Sequence, residues 1–243
     1  MRILFIRHGD PDYERDTLTE KGHREAKLLA EKLKQEKIDY IYCSPLGRAK
    51  HTCQYTAKAL GMEKDVVIKD WLQEFDTPFT LPTGEWRPHV WDMRPSFWTK
   101  NEKMYDQKGW SDHGFFANAN VAESYQTLTN AFDELLGKHG YVRDGRIYRA
   151  ERANTDTVAF FCHFGLEGML LSHLCNLSPI VFTHHFVALP SSVTTLYSEE
   201  REKGIVTFRC CALGDTSHLY AGNEPISFAA RFCEIYDSND RHE

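Results

Sequence analysis

Three short segments concentrate the side chains able to do polar chemistry, and each follows an apolar run of β type. Arg7 and His8 follow residues 2–6, Ser44 to Arg48 follow residues 38–43, and His163 follows residues 158–162. In open α/β sheets, sites gather beyond the carboxyl ends of the strands. With the three runs as parallel neighbours, two arginines and two histidines meet at one edge. Arg48 then falls in the first turn of a helix, where unpaired N–H groups and the helix dipole already favour an anion. Arginine adds planar, bidentate bonds to phosphate oxygens. The constellation predicts a phosphate pocket.

To bring those segments together the chain must alternate strands and helices, and its pattern does so. Thr19 is the expected cap of a first helix that buries Ala26, Leu29, Ala30 and Leu33 at i, i+3, i+4 and i+7. Ser44-Pro45 reads as the opening of a second helix, running over about residues 45–60 and closed by Gly61. Val66–Ile68 is a third strand, and residues 158–162 form a fourth that enters a helix over about 166–175. Asp144-Gly145 between two apolar pairs predicts a tight hairpin. Further strands are expected over 193–197 and 205–211, with a short helix over 227–235. The alternation predicts an α/β fold: a three-layer α/β/α sandwich with a mostly parallel central sheet, one domain over residues 1–243.

Residues 71–116 break the rhythm with all five tryptophans and four of the nine prolines. They predict an inserted, aromatic-rich cap over about residues 76–120. Most of its aromatics are expected in a small satellite core, with one or two lining the entrance to the phosphate pocket.

Composition narrows the function. Apolar residues make up 42% and aromatic residues 13%, too many for a disordered chain. The net charge of −6 argues against a nucleic-acid partner, which calls for a basic face. No run approaches the ~18 apolar residues of a membrane span, and the apolar stretch over residues 3–6 is too short for a signal-peptide core, so a cytoplasmic protein is expected. Seven scattered cysteines without a C-x-x-C pair suggest neither disulfides nor zinc, and most are expected to be buried thiols. His184-His185 reads as a solvent-facing loop pair rather than a metal site. Arg143, Arg146, Arg149 and Arg152 read as a solvated hairpin.

Four motifs in order carry a resemblance: Arg7-His8-Gly9, Leu18-Thr19-x-x-Gly22, Ser44-Pro45-x-x-Arg48-Ala49-x-x-Thr52, and His163-x-Gly165. Weaker echoes are Leu72-Gln73-Glu74, Pro190-x-Ser192-Val193-Thr194 and Asp215-Thr216-Ser217-His218-Leu219. Together they resemble the histidine phosphatase superfamily, also called the phosphoglycerate-mutase-like family. The resemblance implies that His8 attacks phosphorus as a neutral ring to form a phosphohistidine. It implies that Arg7, Arg48 and His163 hold the phosphoryl group, and that Glu74 is the general acid. Ser44 and Thr52 are expected as helix and cap residues. The implied activity is a phosphomonoesterase acting on a small phosphorylated metabolite, with fixed cations in place of a metal or other cofactor.

A phosphoglycerate-type mutase is the alternative, with a second substrate hydroxyl as acceptor. Family mutases have a longer segment after Arg-His-Gly, whereas nine residues separate Gly9 from Thr19 here, and Asp10-Pro11-Asp12-Tyr13 lacks the asparagine that often follows. A silent phospholigand-binding protein would be expected to lose one of Arg7, His8, Arg48 or His163, and all four are present. The oligomeric state is left open by the sequence, a homodimer included.

Overall fold

The computed structural model describes residues 1–227 and 232–240. The first apolar run becomes strand β1 (Arg2–Arg7), buried along its length beyond Arg2. A two-residue ribbon, β2 (Pro11–Asp12) against β3 (Thr17–Leu18), leads into helix α1 (Glu20–Leu33). Thr19 caps α1 by accepting the Gly22 N–H, and the predicted face of Ala26, Leu29, Ala30 and Leu33 is buried. Strand β4 (Tyr40–Cys43) feeds α2 (Gly47–Leu60), which stops at Gly61 in the left-handed region at φ 69°, and β5 (Val66–Ile68) follows. Helix α2 starts later than Ser44-Pro45 suggests. Leu46 stands at its cap position, and the Ser44 hydroxyl accepts the Leu46 N–H at 3.2 Å while also meeting His163.

The insert holds a short ribbon, β6 (Phe79–Thr80) with β7 (Trp86–Arg87), the single turn α3 (Pro95–Trp98) and several 3₁₀ turns. Beyond it come α4 (Val121–Lys138) and the hairpin β8 (Tyr141–Asp144) and β9 (Ile147–Ala150), turning at Gly145 with φ 60°. The chain then runs through β10 (Thr157–Cys162), α5 (Phe164–Cys175), α6 (Pro179–His185), β11 (Val193–Glu202), β12 (Ile205–Asp215) and α7 (Ser217–Ala221).

Eight strands form one sheet in the order β5-β4-β10-β1-β11-β12-β9-β8. From β5 to β1 the pairing is parallel, and the sheet continues antiparallel through β11, β12, β9 and β8. The register pairs Arg7 with Cys162 and Phe161 with Cys43. His8, His163 and Ser44 therefore leave the sheet at one edge. Strand alternation sends Ile3, Phe5, Val158 and Phe160 into a core with α4 and α5, and Leu4, Ile6, Ala159 and Phe161 into a second with α1 and α2. This is the α/β/α sandwich the sequence predicts.

The insert departs from its reading as a satellite. Phe79, Leu81, Val90, Met93, Trp98, Met104, Trp110 and Phe116 are buried in the same cluster as Phe5 and Phe160, so it extends the main core. Trp86 is the exposed tryptophan at 63%, while Trp71 and Trp91 are half-buried.

Other expectations change as well. Cys43, Cys53 and Cys162 are buried, Cys175, Cys210 and Cys233 only partly so, and Cys211 is exposed; all seven are free thiols. His184 belongs to the last turn of α6 and accepts the Met93 N–H at 2.9 Å, tying the insert to that helix rather than facing solvent from a loop. Arg143 lies 4.9 Å over the Tyr148 ring and donates to the Gly145 and His173 carbonyls, so only part of the hairpin's basic run is solvated. Of the helix expected over 227–235, residues 228–231 lie outside the described residues, and Ser227 and residues 232–235 are not helical. No helix among the described residues is long and apolar enough to cross a membrane.

Candidate active site

His8 is 2% exposed and anchored on both sides through its backbone, donating to the Cys162 carbonyl at 3.1 Å and accepting the Ser191 N–H at 3.0 Å. Its Nδ1 stands 2.8 Å from the Gly9 carbonyl oxygen. A carbonyl can only accept, so Nδ1 carries the proton and Nε2 keeps its lone pair. Burial, with Arg7 and Arg48 nearby, holds the ring's pKa well below the usual histidine range. The neutral, nucleophilic form is therefore the one present at neutral pH.

The surrounding cations are placed by two elements, helix α2 and strand β1. Arg48, in the first turn of α2, donates from Nε to His8 Nε2 at 3.3 Å and from Nη1 to Asp16 Oδ1 at 2.7 Å. Asp16 also takes the Gly47 N–H at 2.6 Å. Burial raises the Asp16 pKa, but the bonds from Gly47 and Arg48 outweigh it and leave the carboxyl below its ordinary range. A Cβ on Gly47 would lie 2.0 Å from the Asp16 carbonyl oxygen, so this contact requires glycine. Arg7, at the end of β1, donates from Nη1 to the Ala188 carbonyl at 2.6 Å and lies 5.5 Å over the Phe164 ring. Thr52 fastens the His8 loop to α2 by accepting the Gly9 N–H at 3.0 Å and donating to the Arg48 carbonyl at 2.9 Å.

His163 stands at the cap position of α5, with its ring centroid 5.1 Å from that of His8. Its Nε2 meets the Ser44 hydroxyl at 2.8 Å, and its buried Nδ1 has no hydrogen-bond partner. Burial and the neighbouring His8, Arg48 and Arg7 push its pKa well down. Glu74 reaches the start of the same helix from the segment after the 3₁₀ turn at Asp70–Leu72. Its carboxylate accepts the N–H groups of Leu166 (2.8 Å), Gly165 (3.2 Å) and Phe75 (2.8 Å). Burial raises its pKa more than these bonds lower it, so the group is biased toward the protonated form a proton donor needs. A Cβ on Gly165 would fall 2.1 Å from Trp91 Nε1 and 2.7 Å from Glu74 Oε1, which explains the glycine of His163-x-Gly165.

All five residues singled out in the sequence, Arg7, His8, Arg48, His163 and Glu74, are brought to this edge. Ser44 and Thr52 do more than the helix and cap roles expected of them, since both hydroxyls contact the site. Asp16 and the Ala188 carbonyl have no counterpart in the sequence reading, whereas Trp91 stands beside Gly165 and Glu74 as a cap aromatic of the kind expected near the pocket. Among the described residues no group of three or more His, Cys, Asp and Glu side chains could hold a metal ion.

Two arginines and two neutral histidines thus stand together at the carboxyl edge of parallel strands. The chain belongs to the histidine phosphatase superfamily (branch 1), whose family model matches residues 3–210. Among its relatives, the probable phosphoglycerate mutase GpmB of Photorhabdus laumondii is 27% identical over 113 residues, covering 39% of this chain and 52% of that protein. Phosphoserine phosphatase 1 of Hydrogenobacter thermophilus is 32% identical over 85 residues, 31% of this chain and 39% of that one. The chain thus spans about half or less of the length of the relatives it matches. In structure it is similar to a mutant phosphoserine phosphatase from Entamoeba histolytica in complex with phosphoserine (TM-score 0.60, 19% identity, 90% of this chain and 98% of that one). It is also similar to mycobacterial glucosyl-3-phosphoglycerate phosphatase in complex with VO3 (TM-score 0.55, 20% identity, 87% and 97%).

Proposed function

We propose that the protein is a metal-independent phosphomonoesterase that works through a phosphohistidine on a small phosphorylated metabolite. One observation carries this reading: the His8 proton is committed to the Gly9 carbonyl, leaving Nε2 bare beside Arg48. In the first step Nε2 bonds to phosphorus, the ester P–O bond breaks, and Glu74 gives its proton to the leaving oxygen. In the second, Glu74 takes a proton from water, the water oxygen bonds to phosphorus, and the P–N bond breaks to release inorganic phosphate. Arg7, Arg48 and His163 hold the equatorial oxygens throughout. Several such groups are required, because the slowest monoester hydrolyses need ~10²¹-fold acceleration, whereas one charged hydrogen bond supplies about 1.5–3 kcal/mol.

Mutase activity is the second reading, supported by the phosphoglycerate mutases among the relatives. Hydrolysis is favoured because the segment from Gly9 to Thr19 folds back as the short β2-β3 ribbon and commits Asp16 to Arg48. Phosphatases are among the similar structures that span nearly the whole chain. A cytosolic location fits the seven free thiols. The test is a panel of phosphomonoesters in excess chelator, with phosphate release measured alongside a phosphoglycerate mutase assay. The expected result is phosphate release that survives the chelator. Isomerisation outpacing release, or activity restored only by a divalent ion, would overturn the reading.

A further inference from the structure

Helix α5 carries a second carboxyl group one turn beyond His163. Glu167 is 1% exposed, its N–H donates to the His163 carbonyl at 3.0 Å, and neither carboxylate oxygen completes a hydrogen bond. Thr194 is its polar neighbour, but burying a carboxyl group with no well-formed hydrogen bond is costly, and a group retained there calls for a reason. Arg7 shows the complementary deficit. Its Nη1 is spent on the Ala188 carbonyl, while its Nε is buried without an acceptor. Glu167 and Ala188 line one small cavity together with Phe164, whose ring lies against the Arg7 guanidinium. At about 10 Å³ that cavity is close to the size of a single water molecule. The unpaired carboxylate of Glu167 thus lines a confined space whose wall also includes both groups that Arg7 touches, Ala188 and Phe164.

We propose that Glu167 is a positioning residue for Arg7, so that the guanidinium is shared between the substrate's phosphoryl oxygens and the carboxyl group behind it. This rests on Arg7 being a phosphate ligand. Burial pushes the Glu167 carboxyl up to about 7, against the Thr194 hydroxyl and Arg7, which favour its ionised form. The charged and titratable groups that face it are Arg7 from β1, Glu74 from the segment before the insert, Cys162 from β10 and Cys210 from β12. From α6 and the loop after it come only Phe182, Phe186 and Ala188. Below pH 7 Glu167 is neutral and the full charge of Arg7 serves the phosphoryl group. Above pH 7 the carboxylate draws Arg7 toward itself and adds a negative charge behind the pocket.

The experiment is the pH dependence of KM for a phosphomonoester and of the inhibition constant for inorganic phosphate. In the wild type both rise about tenfold between pH 6 and pH 8.5, the scale of one added charge across several ångströms of protein. In Glu167→Gln both stay within about twofold, the wild-type and variant comparison cancelling the substrate's own ionisation. Should the variant not fold, the carbon-13 resonance of the Glu167 carboxyl in the wild type replaces it, titrating near pH 7 and shifting on phosphate binding. Identical pH profiles in the two proteins, or a resonance that titrates in the ordinary carboxylate range, would overturn the proposal. Arg7→Ala separates this from failure of the underlying reading: if phosphate inhibition is unchanged in that variant, Arg7 is not a phosphate ligand at all.

Discussion

Arg48 Nε stands 3.3 Å from His8 Nε2, so the group that would bind the phosphoryl oxygens occupies the face from which the imidazole would attack. A phosphoryl group entering between them exchanges this weak bond for charge-assisted ones. The guanidinium is held for that exchange at its far side by Asp16 at 2.7 Å.

Arg48→Lys keeps the charge but cannot bond Asp16 and the pocket in one plane. The expected result is a loss of kcat/KM of about 10²–10³-fold with little change in thermal midpoint. Steady-state kinetics and circular dichroism melts check both halves.

Glu74→Gln removes the proton that the leaving oxygen requires. Turnover of an alkyl phosphate should fall by about 10²–10⁴-fold, and that of p-nitrophenyl phosphate, whose leaving group needs little protonation, far less. Equal losses would move the acid elsewhere. Asp76 is the next candidate, although it is largely exposed and lies 2.8 Å from His89 Nδ1.

Gly165→Ala forces a methyl group against Trp91 and Glu74 where there is no room. It should cost about 1–3 kcal/mol of stability, read by urea unfolding, and displace the Glu74 carboxylate from the start of α5. A variant as stable and active as the wild type would show that this close approach carries no weight.

Glu25 is fully buried on α1, where it accepts the Asp10 N–H at 2.8 Å beneath the His8 loop. Burial raises its pKa from 4.5 to about 7 in the folded protein. The folded state therefore holds a proton that the unfolded state has released. The stability tied to that proton is complete below pH 4.5 and is lost as pH rises to about 7, by up to about 3 kcal/mol. Glu25→Gln should flatten this part of the stability profile, most visibly at pH 8.

What the sequence disclosed follows from how local each signal is. Strands β1 and β10 are buried on both faces and read as unbroken apolar runs, while Thr19 and Gly61 punctuate helices through bonds to their own neighbours. Ser44 bonds the Leu46 N–H at the helix entrance as a local signal suggests, but its second partner, His163, lies 119 positions away and is out of reach of any spacing rule. Asp16 and the Ala188 carbonyl hold Arg48 and Arg7 across 32 and 181 positions, and no spacing rule reaches them. The insert is built from 3₁₀ turns and two-residue strands, too short to carry a hydrophobic period. Its continuity with the main core is consequently invisible until the chain is folded.

The central claim is covalent catalysis at His8, and the most direct test is to trap the intermediate. Protein mixed with a phosphorus-32-labelled substrate and quenched in alkali should retain a base-stable, acid-labile label. Peptide mapping should place that label on His8 Nε2, and His8→Ala should carry none. A label that survives acid and is lost in base, or one that persists in His8→Ala, would contradict the account.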